Sequence, residues 1–483
     1  MVDLLSSPTV SYVVVVPAAF AVLLAFVHSY RASAWLNVFA SLLSFAAAVS
    51  LFWAPHPAGD IFIVDGFNIY LIVLNTFVGL TTSIFSASYI GHEIETGRLT
   101  PLMVRFYHAT FQIMMGAMNL ALVSNNLGLL WVGLEVATLV TVLMVGIYRT
   151  EAAVEAAWKY FILASVGISL AFFGTILIYL AAEKTLGEGL AALAWSRLAT
   201  SAPLLDPALL SLSFVFFLVG YGTKVGLAPM HAWLPDAHAE GPTPISAVLS
   251  GLLLNVALYA LLRIKMVISA NTHAVHAGPV LMFMGLVSLL FAAFMLYRRN
   301  DIKRFFAYSS IEHMGIITFA FGMGGPLANF AGLLHMTMHC LTKSGIFFAV
   351  GHVSQAKGTQ RFAGIKGLSV THPVLAWGLG LGVLAIAGLP PFGVFTSEFL
   401  LVTTTFARAP WLALALVAGL VVAFGALLLR MQDVLFGEPT AHNHKVNAST
   451  VPFFAHFALV LTAGLFLPMP LVHWFGQVAA LLK

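Results

Sequence analysis

The chain has 483 residues, 60% of them hydrophobic and only 8% charged. Soluble domains carry about a quarter charged residues, so this composition excludes an ordinary soluble protein. The single cysteine, Cys340, excludes a disulfide framework and any Cys-ligated metal or iron–sulfur centre. No G-x-x-x-x-G-K-[ST] loop is present, which argues against nucleotide hydrolysis, and a net charge of +4 without a basic run points to membrane orientation rather than nucleic acid.

A bilayer span needs about 20 apolar residues. By that measure fourteen spans are predicted, near 9–28, 33–53, 67–90, 106–125, 127–149, 157–181, 209–228, 243–263, 277–297, 303–323, 327–352, 373–407, 410–432 and 450–475. The first lacks a basic leader and a small-residue cleavage site, so it reads as a retained helix rather than a signal peptide. The seventh is followed by Gly226-Leu-Ala-Pro229 and then Met230 through Asp236. The twelfth is too long for one straight helix and is interrupted by Gly388-Leu-Pro-Pro-Phe-Gly393. Proline removes a backbone donor and clashes with the preceding turn. Broken helices are tolerated at membrane depth only where protein or a water-filled cavity satisfies the freed backbone, and they commonly mark a transport site.

Glu135 in span 5 and Glu312 in span 10 lie 177 positions apart, and Lys224 in span 7 and Glu398 in span 12 lie 174 apart. The two broken helices are also five spans apart. Five is odd, so such a unit repeats upside down, as in transporters with paired half-channels. The expected fold is therefore an all-α integral membrane protein of about fourteen helices, with two inverted five-helix repeats and breaks at spans 7 and 12. The chain divides into residues 1–105 (helices 1–3), 106–265 (first repeat), 266–432 (second repeat) and 433–483 (a loop and the last helix). Loops after odd-numbered spans hold 14 Lys and Arg against 6 elsewhere outside the spans, which predicts that they are cytoplasmic and that both termini lie on the outer, periplasmic side. The densest cluster is Arg298, Arg299, Lys303 and Arg304.

The charges inside apolar segments carry the functional information, because ionisable groups at membrane depth are rare and mark ion pathways. Glu135 has no charge within ten residues on either side. It reads as a proton-binding carboxylate or as half of a structural ion pair. Lys224, in Gly220-Tyr-Gly-Thr-Lys224, can lose its proton when buried, as arginine could not; the alternative is snorkelling to the interface. Lys159 opens span 6 and by itself reads as an interface anchor. His335, His339 and Lys343 recur at i, i+4 and i+8 on one helical face, which suits proton hopping through waters and also suits helix–helix hydrogen bonding. A metal at this pair is disfavoured because Lys343 would repel it and no acid lies between the histidines. Glu312 and His313 form a further polar pair, and Glu398 is the last membrane-depth charge in chain order, read as a terminal proton donor or acceptor or as a helix-end charge. No nucleophile–base pair, catalytic centre or cofactor motif is found.

These motifs resemble a known family: the antiporter-like membrane subunits of respiratory complex I, of multisubunit cation/proton antiporters and of membrane-bound nickel–iron hydrogenases. The carriers are Trp131-Val-Gly-Leu-Glu135, the long stretch Gly222 through Ser246, Asp301 through Ser310, His335 through Lys343 and Leu389-Pro-Pro-Phe-Gly393. Ser310-Ile-Glu-His-Met-Gly315 and Phe395-Thr-Ser-Glu-Phe399 are most similar to the hydrogenase-4 branch. The resemblance implies that Glu135 pairs with Lys224, that Lys159, His335 and His339 belong to a central polar axis, and that Glu398 is the exit-side acid where other members use lysine. Many members carry lysine or histidine in span 8, where this chain has Asn255, which cannot take a proton at ordinary pH.

The implied function is proton translocation in a redox complex of the inner membrane. The relay comprises Glu135, Lys159, Lys224, Asn255, Glu312, His335, His339, Lys343 and Glu398. No cofactor or metal is expected in this chain, while iron–sulfur clusters and a nickel–iron centre are implied in partner subunits, both membrane and peripheral. The rival readings are a sodium/proton antiporter subunit and a non-pumping membrane scaffold for a redox arm.

Overall fold

A computed structural model describes residues 8–54, 59–440, 444 and 449–482. The extreme termini of the predicted outer domains, residues 1–7 and 483, and most of the polar stretch 441–448 lie outside them. Among the described residues the protein is built from helices, with only isolated bridge pairs and no strand. In chain order the principal helices are α1 (Pro8–Phe26), α2 (Tyr30–Ser50), α3 (Gly66–Glu95), α4 (Pro101–Val123), α5 (Leu127–Val145), α6 (Glu151–Leu186), α7 (Pro207–Val225), α8 (Thr243–Ala270), α9 (Ala277–Leu296), α10 (Ile302–Met323), α11 (Pro326–Lys357), α12 (Pro373–Ile386), α13 (Gly393–Arg408), α14 (Pro410–Phe436), α15 (Val451–Leu465) and α16 (Met469–Leu481).

Every predicted span falls on one of these helices or on a broken pair. Span 12 becomes α12 and α13, and span 14 becomes α15 and α16, which meet at 83°. Length and composition qualify eight described helices to cross a membrane, or nine counting the bent pair. The sequence count of fourteen is larger because α1 and the broken α12 are short and because α4, α10 and α11 are less apolar. Their polar residues are affordable because they are shielded from lipid: α10 and α11 are buried along almost their whole length, as is the segment Thr243–Ile268 of α8. Large apolar side chains such as Trp35, Trp377 and Trp411 are instead exposed on the outer helices, as expected of a surface that faces hydrocarbon or its interface.

Two halves pack alike. Helix α4 lies against α5 as α9 lies against α10, and α6 lies against α7 as α11 lies against α12 and α13. Their breaks share a form as well: a glycine with left-handed φ (Gly226 at 80°, Gly388 at 66°), a leucine, and a cis X-Pro bond two residues after that glycine's neighbour, at Ala228-Pro229 and Pro390-Pro391. The charges stand on opposite sides of the two breaks, Lys224 before Gly226 and Glu398 after Gly388. Membrane helices lack a hydrophobic drive to associate, so small residues that permit close backbone approach do much of the packing. A Cβ at Gly133 would come within 2.8 Å of Ala117 O and Ala121 N, and one at Gly315 within 2.6 Å of Gly285 O. These two crossings hold α5 near Glu135 and α10 near Glu312. Replacing Gly315 with Leu should prise α9 from α10, lowering the melting temperature and assembled yield in mild detergent, at a cost of about 1–3 kcal/mol. Equal melting temperatures for variant and parent would show that the crossing is not tight.

Candidate functional site

Helix α7 ends in a left-handed glycine cap: Gly226 N–H donates to Thr223 O and Leu227 N–H to Gly222 O, while Trp233 Nε1 donates to Thr223 O at 2.8 Å. Glycine at this position is the usual helix terminator because it takes positive φ without a Cβ clash. The cap leaves Lys224 in the last turn, where the negative end of the helix dipole favours a cation. Its side chain is 1% exposed and points back to α5, where Nζ lies 3.9 Å from Glu135 Oε2 and donates a hydrogen bond to Thr138 Oγ1. Tyr160 and Thr141 share a 2.9 Å hydrogen bond beside them, and Tyr160 stacks on Trp233. The expected Glu135–Lys224 pairing is thus present in the geometry.

Lys159 is placed differently from the buried groups. It is partly exposed and pairs at 2.5 Å with Asp236, on the short helix Leu234–Glu240 that follows the first break. Asp236 is also bound by Arg304 at 2.7 Å, and Arg304 reaches Glu240 at 3.3 Å. Lys303, read as a loop cation, is buried and donates to Ala239 O and Gly241 O at 3.0 and 2.6 Å. Two of the four basic residues of this cluster therefore pin the broken segment after α7 to α10.

Helix α8 contains a π-turn, Leu249–Leu253, just before Asn255. Asn255 donates to Gly251 O at 2.9 Å, and its buried Oδ1 has no protein partner. Gly251 packs so tightly on α11 that a Cβ there would strike Ser344 and lie 3.2 Å from Cys340 O. Ser250 and Ser310 hydrogen-bond at 2.7 Å. Single-turn π-bulges recur at functional positions because they expose backbone groups. Asn255 is thus tied, through the carbonyl of Gly251, to the turn of α8 that packs on α11 at Cys340 and Ser344.

The second half gathers His313, His335, Ser397 and Glu398. His313 Nδ1 lies 2.9 Å from His335 Nε2, and His335 Nδ1 lies 2.9 Å from Ser397 Oγ. His313 stacks on both His335 and His339, with ring centres 5.2 and 5.4 Å apart. The predicted stack on α11 is therefore completed by a ring from α10 that sits between its two histidines. Glu312 Oε2 is 3.9 Å from His313 Nε2. Lys343 donates to Phe306 O at 2.9 Å and lies over the Phe306 ring. Both nitrogens of His339 and both of His238 are buried without a protein partner. Glu398 sits against the second break, where a Cβ on Gly388 would collide with its Oε2, and it shares a cavity of about 190 Å³ with Glu312. The rest of its lining is apolar, from Ile386 and Ala387 and from Leu420 to Leu427 of α14.

Sequence reasoning assigned no role to Thr138 or His238 and left His313 outside the axis. Thr138 gives no local signal, since a helical threonine usually bonds its own backbone. His238 lay inside the long quoted stretch, and its burial against Phe347, with rings 4.9 Å apart, depends on tertiary packing.

Residues 124–425 match the family described as NADH:quinone oxidoreductase/Mrp antiporter, TM. The chain belongs to that family. It is 59% identical over 471 residues to a hydrogenase-4 component F homolog of Methylacidiphilum infernorum, covering 98% of this chain and 99% of the relative. Its fold is similar to a chain of the membrane-bound sulfane sulfur reductase, an archaeal respiratory membrane complex (TM-score 0.88, 21% identity, 98% of this chain and 97% of that one). It is also similar to a chain of respiratory complex I from Thermus thermophilus (TM-score 0.81, 22% identity, 98% and 100%). The family match spans both halves, from the start of α5 to α14, and so includes every group described above. The protein is an antiporter-like, multi-pass membrane subunit.

Thr138→Val keeps the shape of the side chain and removes the hydroxyl that Lys224 uses. It should lower the melting temperature of the purified protein, because a charged group losing a buried hydrogen bond costs about 1.5–3 kcal/mol. Thr141→Val, which leaves Lys224 untouched, should change it less; the reverse order would show that Lys224 does not depend on Thr138.

Proposed function

We propose that this chain carries protons across the inner membrane as the antiporter-like subunit of a hydrogenase-type redox complex. The observation that carries the reading is the pair of charge centres within the spans: Glu135 with Lys224 in the first half, and His313, His335, Glu312 and Glu398 in the second. Each buried charge is costly in hydrocarbon, and two such centres beside broken helices are what an ion path requires. The similarity to a hydrogenase-4 component F homolog supports the hydrogenase assignment. The same reading puts iron–sulfur clusters and a nickel–iron centre in partner subunits, which supply the driving chemistry.

In this mechanism a charge movement in a neighbouring subunit perturbs Glu135. Separation of Glu135 from Lys224 destabilises the buried ammonium, which gives up its proton. Water hydrogen-bonded to Asn255 carries the proton across α8 towards Lys343. From there it passes His339, His313 and His335 to Glu398, beside the second break. Asn255 relays without titrating, by donating one hydrogen bond and accepting another. Lys159 acts through Asp236, holding the first broken segment in place rather than taking part in transfer. The work to be done is about 2.3 kcal/mol per charge per 100 mV. The cation-rich ends of α9, α10 and α11 are assigned to the cytoplasm and the termini to the outer side.

The test is proton uptake by vesicles holding the assembled complex, measured with turnover of the redox reaction. Lys224→Met and Glu398→Gln should each abolish proton uptake, while Lys159→Met should reduce it only in part. Full uptake in both of the first two variants would remove the relay and favour a scaffold. Uptake that persists but requires sodium would replace the proton with sodium as the coupling ion.

A further inference from the structure

We infer that His313, His335 and Glu398 form a binding site for a divalent zinc ion. The sequence spoke against a metal at His335 and His339, which share one helix with a lysine below them. The structure changes the partners. His335 faces His313 from α10 and Glu398 from α13, so the donors come from three helices. One ligand atom from each of the three residues lies within 4.8 Å of the other two. Two imidazoles and one carboxylate, with a fourth position left for water, is a recurrent zinc donor set.

The geometry is close to what the ion needs. Two nitrogens on a tetrahedral zinc are about 3.3 Å apart, given bonds near 2.0–2.1 Å, and His313 Nδ1 and His335 Nε2 are 2.9 Å apart. A small opening of this pair admits the ion in place of the shared proton. Ser397 Oγ, bonded to His335 Nδ1 at 2.9 Å, orients the ring from behind, as outer partners of zinc-bound histidines do. Glu398 brings one negative charge to the ion, and Glu312, 3.9 Å from His313, places a second carboxylate beside the site. Lys343 lies two helical turns from His335, about 12 Å along the axis, so the repulsion foreseen from the sequence falls on His339 and His313 rather than on His335. Beside Glu398 and Glu312 an open groove of about 190 Å³, otherwise lined by apolar residues of α12 and α14, gives a route of access to the carboxylate side of the site.

The measurement is zinc content and zinc X-ray absorption of the purified assembled complex after equilibration with Zn²⁺ and removal of loosely held metal. The parent should hold one zinc in a nitrogen and oxygen shell with two imidazole signatures, absent from a complex stripped by chelator. His313→Asn, His335→Asn and Glu398→Gln should each lose that ion, and His339→Asn should keep it. Overturning results are a parent without such a zinc, or retention in all three variants, or equal loss in His339→Asn. The parent spectrum decides the matter if a variant fails to assemble. Because the readout is the bound ion, the proton reading above can fail while the site stands, and the reverse. Where both hold, zinc occupies the groups the proton uses, and stops uptake.

Discussion

A charge in hydrocarbon has no water to solvate it, so each ionised group inside this chain must be stabilised by protein or by water the protein holds. The Lys224 ammonium shows how the rest of the fold answers that demand. Its stabilisers are Glu135 and Thr138 on α5 and the end of its own helix dipole. Each depends on something further away. The dipole end exists because Gly226 terminates α7. The position of α5 depends on the glycine crossing at Gly133, and the segment after the break is tied to α10 by Lys303 and Arg304. One buried charge thus sets constraints on four helices.

The second half meets the same demand with a different chemistry. Instead of a lysine and a glutamate in direct opposition, three imidazoles, a serine and two carboxylates share the task, and the cation Lys343 is supported by a backbone carbonyl and an aromatic face. A pair at 3.9 Å can be switched by moving a single neighbouring charge. A cluster of histidines in ring contact is better suited to conducting a proton than to being switched. The two halves thus differ in chemistry although their helices pack alike and their breaks share a form.

Much of this was legible in the sequence. Apolar runs long enough to span a bilayer located every principal helix, and isolated charges within those runs pointed to Glu135, Lys224 and Glu398. Proline with glycine marked both breaks. What could not be read was which helices meet. The burial of Lys303 depends on carbonyls at Ala239 and Gly241 left free at the end of a seven-residue helix. The place of His313 depends on α10 facing α11, and the pairing of Lys159 with Asp236 on the path of the chain after the first break. Hydropathy also overestimated uniformity: α10 and α11 carry polar residues that a lipid-facing helix could not, because other helices enclose them.

The central claim is that the charge state of the first half governs protonation of the second. Redox-triggered infrared difference spectroscopy of the assembled complex tests it most directly, with the carboxyl band of Glu398 identified by its loss in Glu398→Gln. The account predicts that this band changes on turnover in the parent and is silent in Lys224→Met. A Glu398 band that responds equally in both would contradict it.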